Sequence, residues 1–251
     1  MLLATILLVT AEEGRLTHTY YALRHGQSVA NVANVISSDP KVACLGHGLS
    51  TIGCQQAEAA AIDLAATAAR EGVDGVAIVS SDLRRAWQTA SITRAGCLAL
   101  GVNVWPEAGV LEARALRERS FGSLSGQDDS RYPEVWAEDA ISAEHEEFGC
   151  EAVTSVRERG RAVIDELEQL LPQTGTWLVV VVAHGDVLQI LQTAFVPGGL
   201  DPREHRSLPH LKTATLRRLS SPKLAWQSHD GERISAQWRR DASWPPRLVP
   251  S

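Results

Sequence analysis

The sequence predicts an α/β fold: a three-layer α/β/α sandwich with a mostly parallel central sheet and an inserted helical lid. Three observations predict it. Short apolar runs alternate with longer amphipathic ones along the chain, the pattern of strands joined by crossover helices. Val179 to Val182 is an unbroken run of valine, which suits a central strand covered on both faces. Three polar clusters each fall where a strand ends and a helix is about to begin.

The elements follow in order. Thr19 to Leu23 reads as a first strand, cut off by the Arg24-His25-Gly26 turn. Ser50 to Arg70 is Ala-rich and reads as a helix that Ser50 or Thr51 can cap. Val76 to Val79 is a second strand, followed by a helix opening near Leu83, and Val102 to Trp105 is a short third strand. From Ala152 to Leu171, the residues Val153, Val156, Val163, Ile164, Leu167 and Leu171 recur at helical spacing. The valine strand ends at Ala183-His184-Gly185, after which Val187, Leu188, Ile190 and Leu191 resume the helical pattern. Thr213 to Leu219 supplies a last strand. Beyond Ser220 the pattern weakens, and Trp244-Pro245-Pro246 predicts a loosely ordered tail. The expected division is an extension over 1–18, one domain over 19–219 and a tail over 220–251. Within the domain, an insertion at about 127–151 is rich in Asp and Glu, with Arg131 its only strong base. It reads as a helical lid or, more plainly, as solvated surface.

Composition narrows the class. The 251 residues suffice for one large domain with a substantial core. A net charge of −6 argues against nucleic acid or an anionic membrane surface as the main partner. The four cysteines (Cys44, Cys54, Cys97 and Cys150) form no CxxC pair or zinc spacing, which predicts reduced thiols and a cytoplasmic location. The apolar run Leu2 to Val9 has no Lys or Arg before it and is too short to span a bilayer, so a targeting segment is the minor reading.

The polar clusters are Arg24-His25-Gly26, Ser81-Asp82-Leu83-Arg84-Arg85 and His184-Gly185. In a parallel sheet the carboxyl ends of the strands share one edge, so these residues converge there. Helix N-termini at that edge favour an anion. Two histidines and at least two arginines in such a place suggest a phosphate: guanidinium forks match its oxygens, and an imidazole attacks phosphorus or donates to those oxygens. Taken singly, each element is weak, since a histidine after a strand is more often structural.

The set of motifs is more specific. Leu23-Arg24-His25-Gly26-Gln27-Ser28-Val29-Ala30-Asn31, Gly48-Leu49-Ser50-Thr51-Ile52-Gly53, Ser80-Ser81-Asp82-Leu83-Arg84-Arg85-Ala86, Leu116-Arg117-Glu118-Arg119-Ser120-Phe121-Gly122 and Val182-Ala183-His184-Gly185 occur in this order. Together they resemble the histidine phosphatase superfamily, the phosphoglycerate mutase-like family. The resemblance implies a metal-independent phosphomonoesterase that needs no cofactor and acts on a small phosphate ester through a phosphohistidine. It implies His25 as nucleophile, and Arg24, Arg85, Asn31, His184 and Gly185 around the phosphoryl group, with His184 expected to work protonated. Glu118 would be the proton donor, with Glu112 its rival. Gln27 and Asp82 depart from the family pattern, as does the acidic stretch after Gly126, where mutases carry basic residues. That charge favours a phosphatase over a phosphoglycerate mutase-type phosphotransferase. Arg117 and Arg119 remain as candidate holders of a second anion. A non-catalytic phosphate-binding module is the third reading. The oligomeric state is not legible.

Overall fold

The strand that contains the valine run, Trp177–Ala183, is buried at every position and lies in the interior of the sheet. β-Branched side chains are already restricted at χ1 and pack well on a pleated surface, so such a run suits a strand covered on both sides. The computed structural model describes residues 14–220, 224–226 and 238–239. The Leu2 to Val9 run and the Trp244-Pro245-Pro246 segment lie outside the described residues.

In chain order the strands are β1 (Gly14–Arg15), β2 (Thr19–Arg24), β3 (Gly75–Ser80), β4 (Val104–Trp105), β5 (Leu111–Ala113), β6 (Trp177–Ala183), β7 (Leu216–Arg218), β8 (Ala225–Trp226) and β9 (Trp238–Arg239). The helices are α1 (Val29–Val32), α2 (Pro40–Ala43), α3 (Thr51–Glu71), α4 (Arg84–Ala99), α5 (Tyr132–Asp139), α6 (Val153–Leu170) and α7 (Gly185–Phe195). The main sheet runs β7-β2-β6-β3-β5-β9, with β4 also paired to β3. Its interior pairings are parallel, and β7 and β9 are antiparallel edges. β1 and β8 form a separate antiparallel pair.

Side chains alternate across the sheet, as the period of two requires. Val179, Val181, Tyr20, Ala22, Ala77 and Val79 enter one core with residues of α6 and α7. Leu178, Val180, Val182, Tyr21, Leu23, Val76 and Ile78 enter the other, with residues of α3 and α4. This is the expected three-layer arrangement. Ser50 caps α3, its Oγ accepting from the Gly53 amide at 3.1 Å. The first turn of α3 lies hard against the turn after β2: a Cβ on Gly53 would come within 2.0 Å of the Gln27 carbonyl oxygen, and one on Gly26 within 2.5 Å of the Gly53 oxygen. Glycine at both places is a packing requirement.

Several expectations need correction. The third strand is shorter, Val104–Trp105, and the last covers only Leu216–Arg218. β5, a three-residue strand, carried too little alternation to be foreseen. Beyond Ser220, where the pattern weakens, β8 and β9 still pair with β1 and β5. The acidic insertion is not simply solvated surface. It contains α5, and Val135 and Cys150 join Ile36, Phe121 and Leu124 in a third cluster. Asp139, one of its acids, is fully buried. No helix among the described residues is long and apolar enough to cross a membrane.

Candidate active site

The parallel register sets Arg24 beside Ala183 and Ser80 beside Val182. The next residues (His25, His184 and Ser81) therefore leave the sheet at one level. The His25 amide donates to the Ala183 oxygen and the Ser81 amide to the Val182 oxygen, each at 3.0 Å. Sequence-distant residues meet because three strands end together.

His25 is 3% exposed. Its Nδ1 is 2.7 Å from the Gly26 carbonyl oxygen, and its Nε2 is 3.0 Å from the Nε of Arg85. A carbonyl only accepts and a guanidinium only donates, so the ring is neutral with its proton on Nδ1 and its lone pair on Nε2. Arg85 is fixed from behind by Ser37: Nη1 donates to the hydroxyl at 3.1 Å and Nη2 to the carbonyl oxygen at 2.9 Å. Burial, then the Arg85 and Arg24 guanidinium groups, hold the His25 imidazole well below its usual range.

The His184 ring stands 5.2 Å from that of His25, centroid to centroid. Its Nε2 is 2.9 Å from the Ser81 hydroxyl, while its Nδ1 is buried without a partner. Burial first, then Arg85 and His25, hold its pKa well below the ordinary value. These influences favour the neutral ring, against the expectation of a protonated His184. Gly185 follows as the first residue of α7, and a Cβ there would meet Arg24 Cζ at 3.4 Å. Arg24 donates through Nη1 to the Leu211 oxygen at 2.9 Å, and its Nε is buried and unpartnered.

Glu118 is half-buried, its Oε1 accepting from the Arg119 amide at 3.0 Å. Burial raises its pKa to about 7, helped by Asp186 and opposed by Arg85 and Arg24. Glu118 is also the leading charge acting on both Arg24 and Arg85. Glu112 lies on β5 in register with Ser80. Asn31 belongs to the capping box of α1: its Oδ1 accepts from the Ser28 amide at 3.0 Å and the Ser28 hydroxyl at 2.9 Å. The amide nitrogen of its side chain remains to donate.

Two expected anion holders are already engaged. Arg117 forms a two-pronged bond to the buried Asp82 at 2.7 and 2.6 Å. Arg119 is fully buried and grips both oxygens of Asp139 at 2.7 Å, with Asp186 3.4 Å away. The sequence displays their charge but not these partners. Asp139, Asp186 and His205 lie close enough together to share an ion, but Arg119 already occupies both oxygens of Asp139 and lies 3.4 Å from Asp186.

Motif reading also missed residues that complete the site. Ser37 behind Arg85 and His210 beside Arg24 belong to no motif. From the lid, Tyr132 stacks on Trp136 at 5.4 Å and 6°, and Arg206 covers Trp136 at 3.6 Å. The Trp136 indole donates to Asp186 at 3.1 Å. Asp186 had one available signal, its place in the first turn of the helix after His184.

Comparison with known proteins gives the family and the fold. The family model described as the histidine phosphatase superfamily (branch 1) matches residues 20–230. No curated protein matches the chain. Among solved structures, a mycobacterial glucosyl-3-phosphoglycerate phosphatase in complex with VO3 is 27% identical, with a TM-score of 0.61 over 84% of this chain and 99% of its own. The protein called mycobacterial hydrolase 2 is 27% identical, with a TM-score of 0.62 over 88% of each chain. YhfR of Bacillus stearothermophilus, 24% identical, shares the fold, with a TM-score of 0.57 over 79% of this chain and 89% of its own. With a neutral imidazole edged by guanidinium groups at the strand ends and a family match over most of its length, the chain belongs to the histidine phosphatase superfamily, whose enzymes are phosphatases and phosphotransferases.

Proposed function

We propose that this protein is a metal-independent phosphomonoesterase that hydrolyses a small phosphorylated metabolite through a phosphohistidine on His25. One observation carries the proposal. The Nε2 lone pair of a neutral, buried His25 lies among buried polar atoms that lack partners, Arg24 Nε and His184 Nδ1. The Ser81 hydroxyl, which accepts from the Leu83 amide, donates in this reading to His184 Nε2 and leaves the proton of that ring on Nδ1. An unpaired buried donor costs about 1–3 kcal/mol, and phosphoryl oxygens would satisfy both.

In the first step Nε2 of His25 attacks phosphorus while the bond to the ester oxygen breaks. Protonated Glu118, with a pKa near 7, delivers its proton to the leaving oxygen. The Gly26 carbonyl, accepting from Nδ1, steadies the positive charge that forms on the ring. Arg24, Arg85, the Nδ1–H of His184 and the amide of Asn31 meet charge that spreads over the phosphoryl oxygens. Arg85 exchanges its bond to His25 for one to the phosphate, which frees the nucleophile. The Gly185 amide and the start of α7 add an anion-favouring helix end. In the second step the Glu118 carboxylate takes a proton from water, the oxygen attacks phosphorus, and the P–N bond breaks to release inorganic phosphate and neutral His25.

Hydrolysis is favoured over mutase chemistry because Arg117 and Arg119 are committed to buried carboxylates, and Asp128 and Asp129 follow Gly126 where a second anion would otherwise be held. The test is turnover of an aryl phosphate in EDTA by the wild type and by His25→Ala. Activity in the wild type alone supports the proposal. Equal activity in both sinks it, and interconversion of phosphoglycerates without hydrolysis indicates the transferase instead.

A further inference from the structure

Arg24 leaves β2 at the pocket, but what aims its guanidinium is a loop from the far end of the chain. Nη1 makes its two bonds, to the Leu211 oxygen at 2.9 Å and to Nε2 of His210 at 2.7 Å. Since arginine only donates, His210 accepts at Nε2, carries its proton on Nδ1 and is neutral while the bond exists. The loop that presents His210 is built for the purpose. Arg217 on β7 donates to the carbonyl oxygens of Pro209 and His210 and, at 3.1 Å, to Gln192 Oε1 on α7. Gln189 donates to the Leu208 oxygen at 2.6 Å and accepts from Arg206. The glycine after His184 makes room: a Cβ on Gly185 would lie 3.3 Å from Cε1 of His210.

We infer that His210 is a positioning residue for the reaction, its neutral imidazole holding Arg24 toward the phosphoryl group, and that protonating His210 releases Arg24. The inference rests on the reading of this pocket as a phosphoryl site. The two pocket arginines are then set by the same device, each donating to the Nε2 of a neutral histidine (Arg85 to His25, Arg24 to His210). The charged groups facing His210 are Arg24, Arg206 and Arg217 on the positive side and Asp186 on the negative. Desolvation of the part of the ring that faces the pocket, then the arginines, lower its pKa from the ordinary value, with Asp186 opposing, so the imidazole is deprotonated at neutral pH. The bond therefore survives at neutral pH and fails in acid.

The test compares wild type, His210→Ala and His210→Gln for kcat/KM with an aryl phosphate and for the inhibition constant of inorganic phosphate, from about pH 5 to 8. His210 is exposed at the pocket rim, and thermal melts check that the variants fold. Alanine is expected to lower kcat/KM about tenfold at neutral pH and to weaken phosphate inhibition in parallel. Glutamine, which keeps an acceptor of similar reach, restores most of both. Because glutamine does not titrate, the ratio of wild type to His210→Gln falls at pH values below the ordinary imidazole pKa of about 6.5, while effects shared by both enzymes cancel. Three results overturn the inference: an alanine variant within about twofold of wild type, a glutamine variant as impaired as alanine, or a ratio that does not change with pH. If His25→Ala proves as active as wild type, the phosphohistidine reading fails separately, and phosphate inhibition still decides the role of His210.

Discussion

Asp186 accepts a 3.1 Å hydrogen bond from the indole nitrogen of Trp136, which ties the lid helix α5 to the start of α7, two residues past His184. The same carboxylate lies 3.4 Å from Arg119, the neighbour of Glu118. One acid thus joins the three segments that surround the pocket, and its charge reaches Glu118, the proposed proton donor. After burial, Asp186 is the main influence raising the Glu118 pKa.

Replacing Asp186 with asparagine keeps an acceptor for Trp136 and removes the charge. The Glu118 pKa then falls below its present value of about 7. Glu118 must be protonated to release a poor leaving group, so the alkaline limb of kcat against pH for an alkyl phosphate moves to lower pH in Asp186→Asn. An alkaline limb that stays in place would remove Asp186 from the control of Glu118.

Glu118→Gln separates chemistry from stability. With an alkyl phosphate, loss of the acid lowers kcat by about 10²–10⁴. With an aryl phosphate, whose leaving group needs no proton, the first step survives and acid-labile phosphohistidine accumulates because no base activates water. The stability change has the opposite sign. The folded-state pKa is raised, so Glu118 stabilises fully below its ordinary carboxylate pKa, and this contribution is lost as pH rises through about 7. Glutamine never ionises, and at alkaline pH the variant is more stable by about 1–2 kcal/mol. The full conversion of about 1.4 kcal/mol per unit is reduced here because the side chain is partly exposed. Denaturant melts on both sides of neutrality measure the crossover.

What the sequence made legible is what local pattern encodes. The valine run, the cap at Ser50 and the three strand-end clusters define the sheet and bring His25, Arg85 and His184 to one edge. Contacts that depend on tertiary packing stayed hidden. Ser37 meets Arg85 across 48 positions and His210 meets Arg24 across 186, and neither residue type in isolation signals such a bond. The burial of Arg119 was equally silent, because an arginine beside a glutamate reads as surface. The downward pull on the His184 pKa was hidden for a related reason: complete burial first, then Arg85, His25, Arg159 and Arg24, set its direction.

Arg119 is the structural member of the Glu118 motif. Fully buried, it satisfies both oxygens of Asp139 from the lid and donates to the Glu151 carbonyl at 2.7 Å. Arg119→Met would leave Asp139 without its guanidinium, and breaking one partner from a buried pair costs about 3–5 kcal/mol. Lysine rescues little, since a point charge cannot span both carboxylate oxygens. Denaturant midpoints of the two variants check this, and a loss below about 1 kcal/mol for methionine would show that the lid is held by other contacts.

Acid sensitivity follows from the two pocket histidines. Both are buried, and both have pKa values well below the ordinary imidazole value, so they remain neutral in the folded protein. Unfolding restores an ordinary pKa of about 6.5, and below that pH the unfolded chain binds more protons than the folded one. The stability they contribute is complete above about pH 6.5 and drains away as the pH falls. Thermal melts between about pH 8 and 5 should show a steeper decline for the wild type than for the His25→Gln, His184→Gln double variant. Carboxylates elsewhere titrate equally in both proteins, so the difference in slope isolates the imidazoles. Parallel slopes would mean that one or both rings already carry a proton in the folded pocket, and the neutral nucleophile that the proposed chemistry requires would be lost with them.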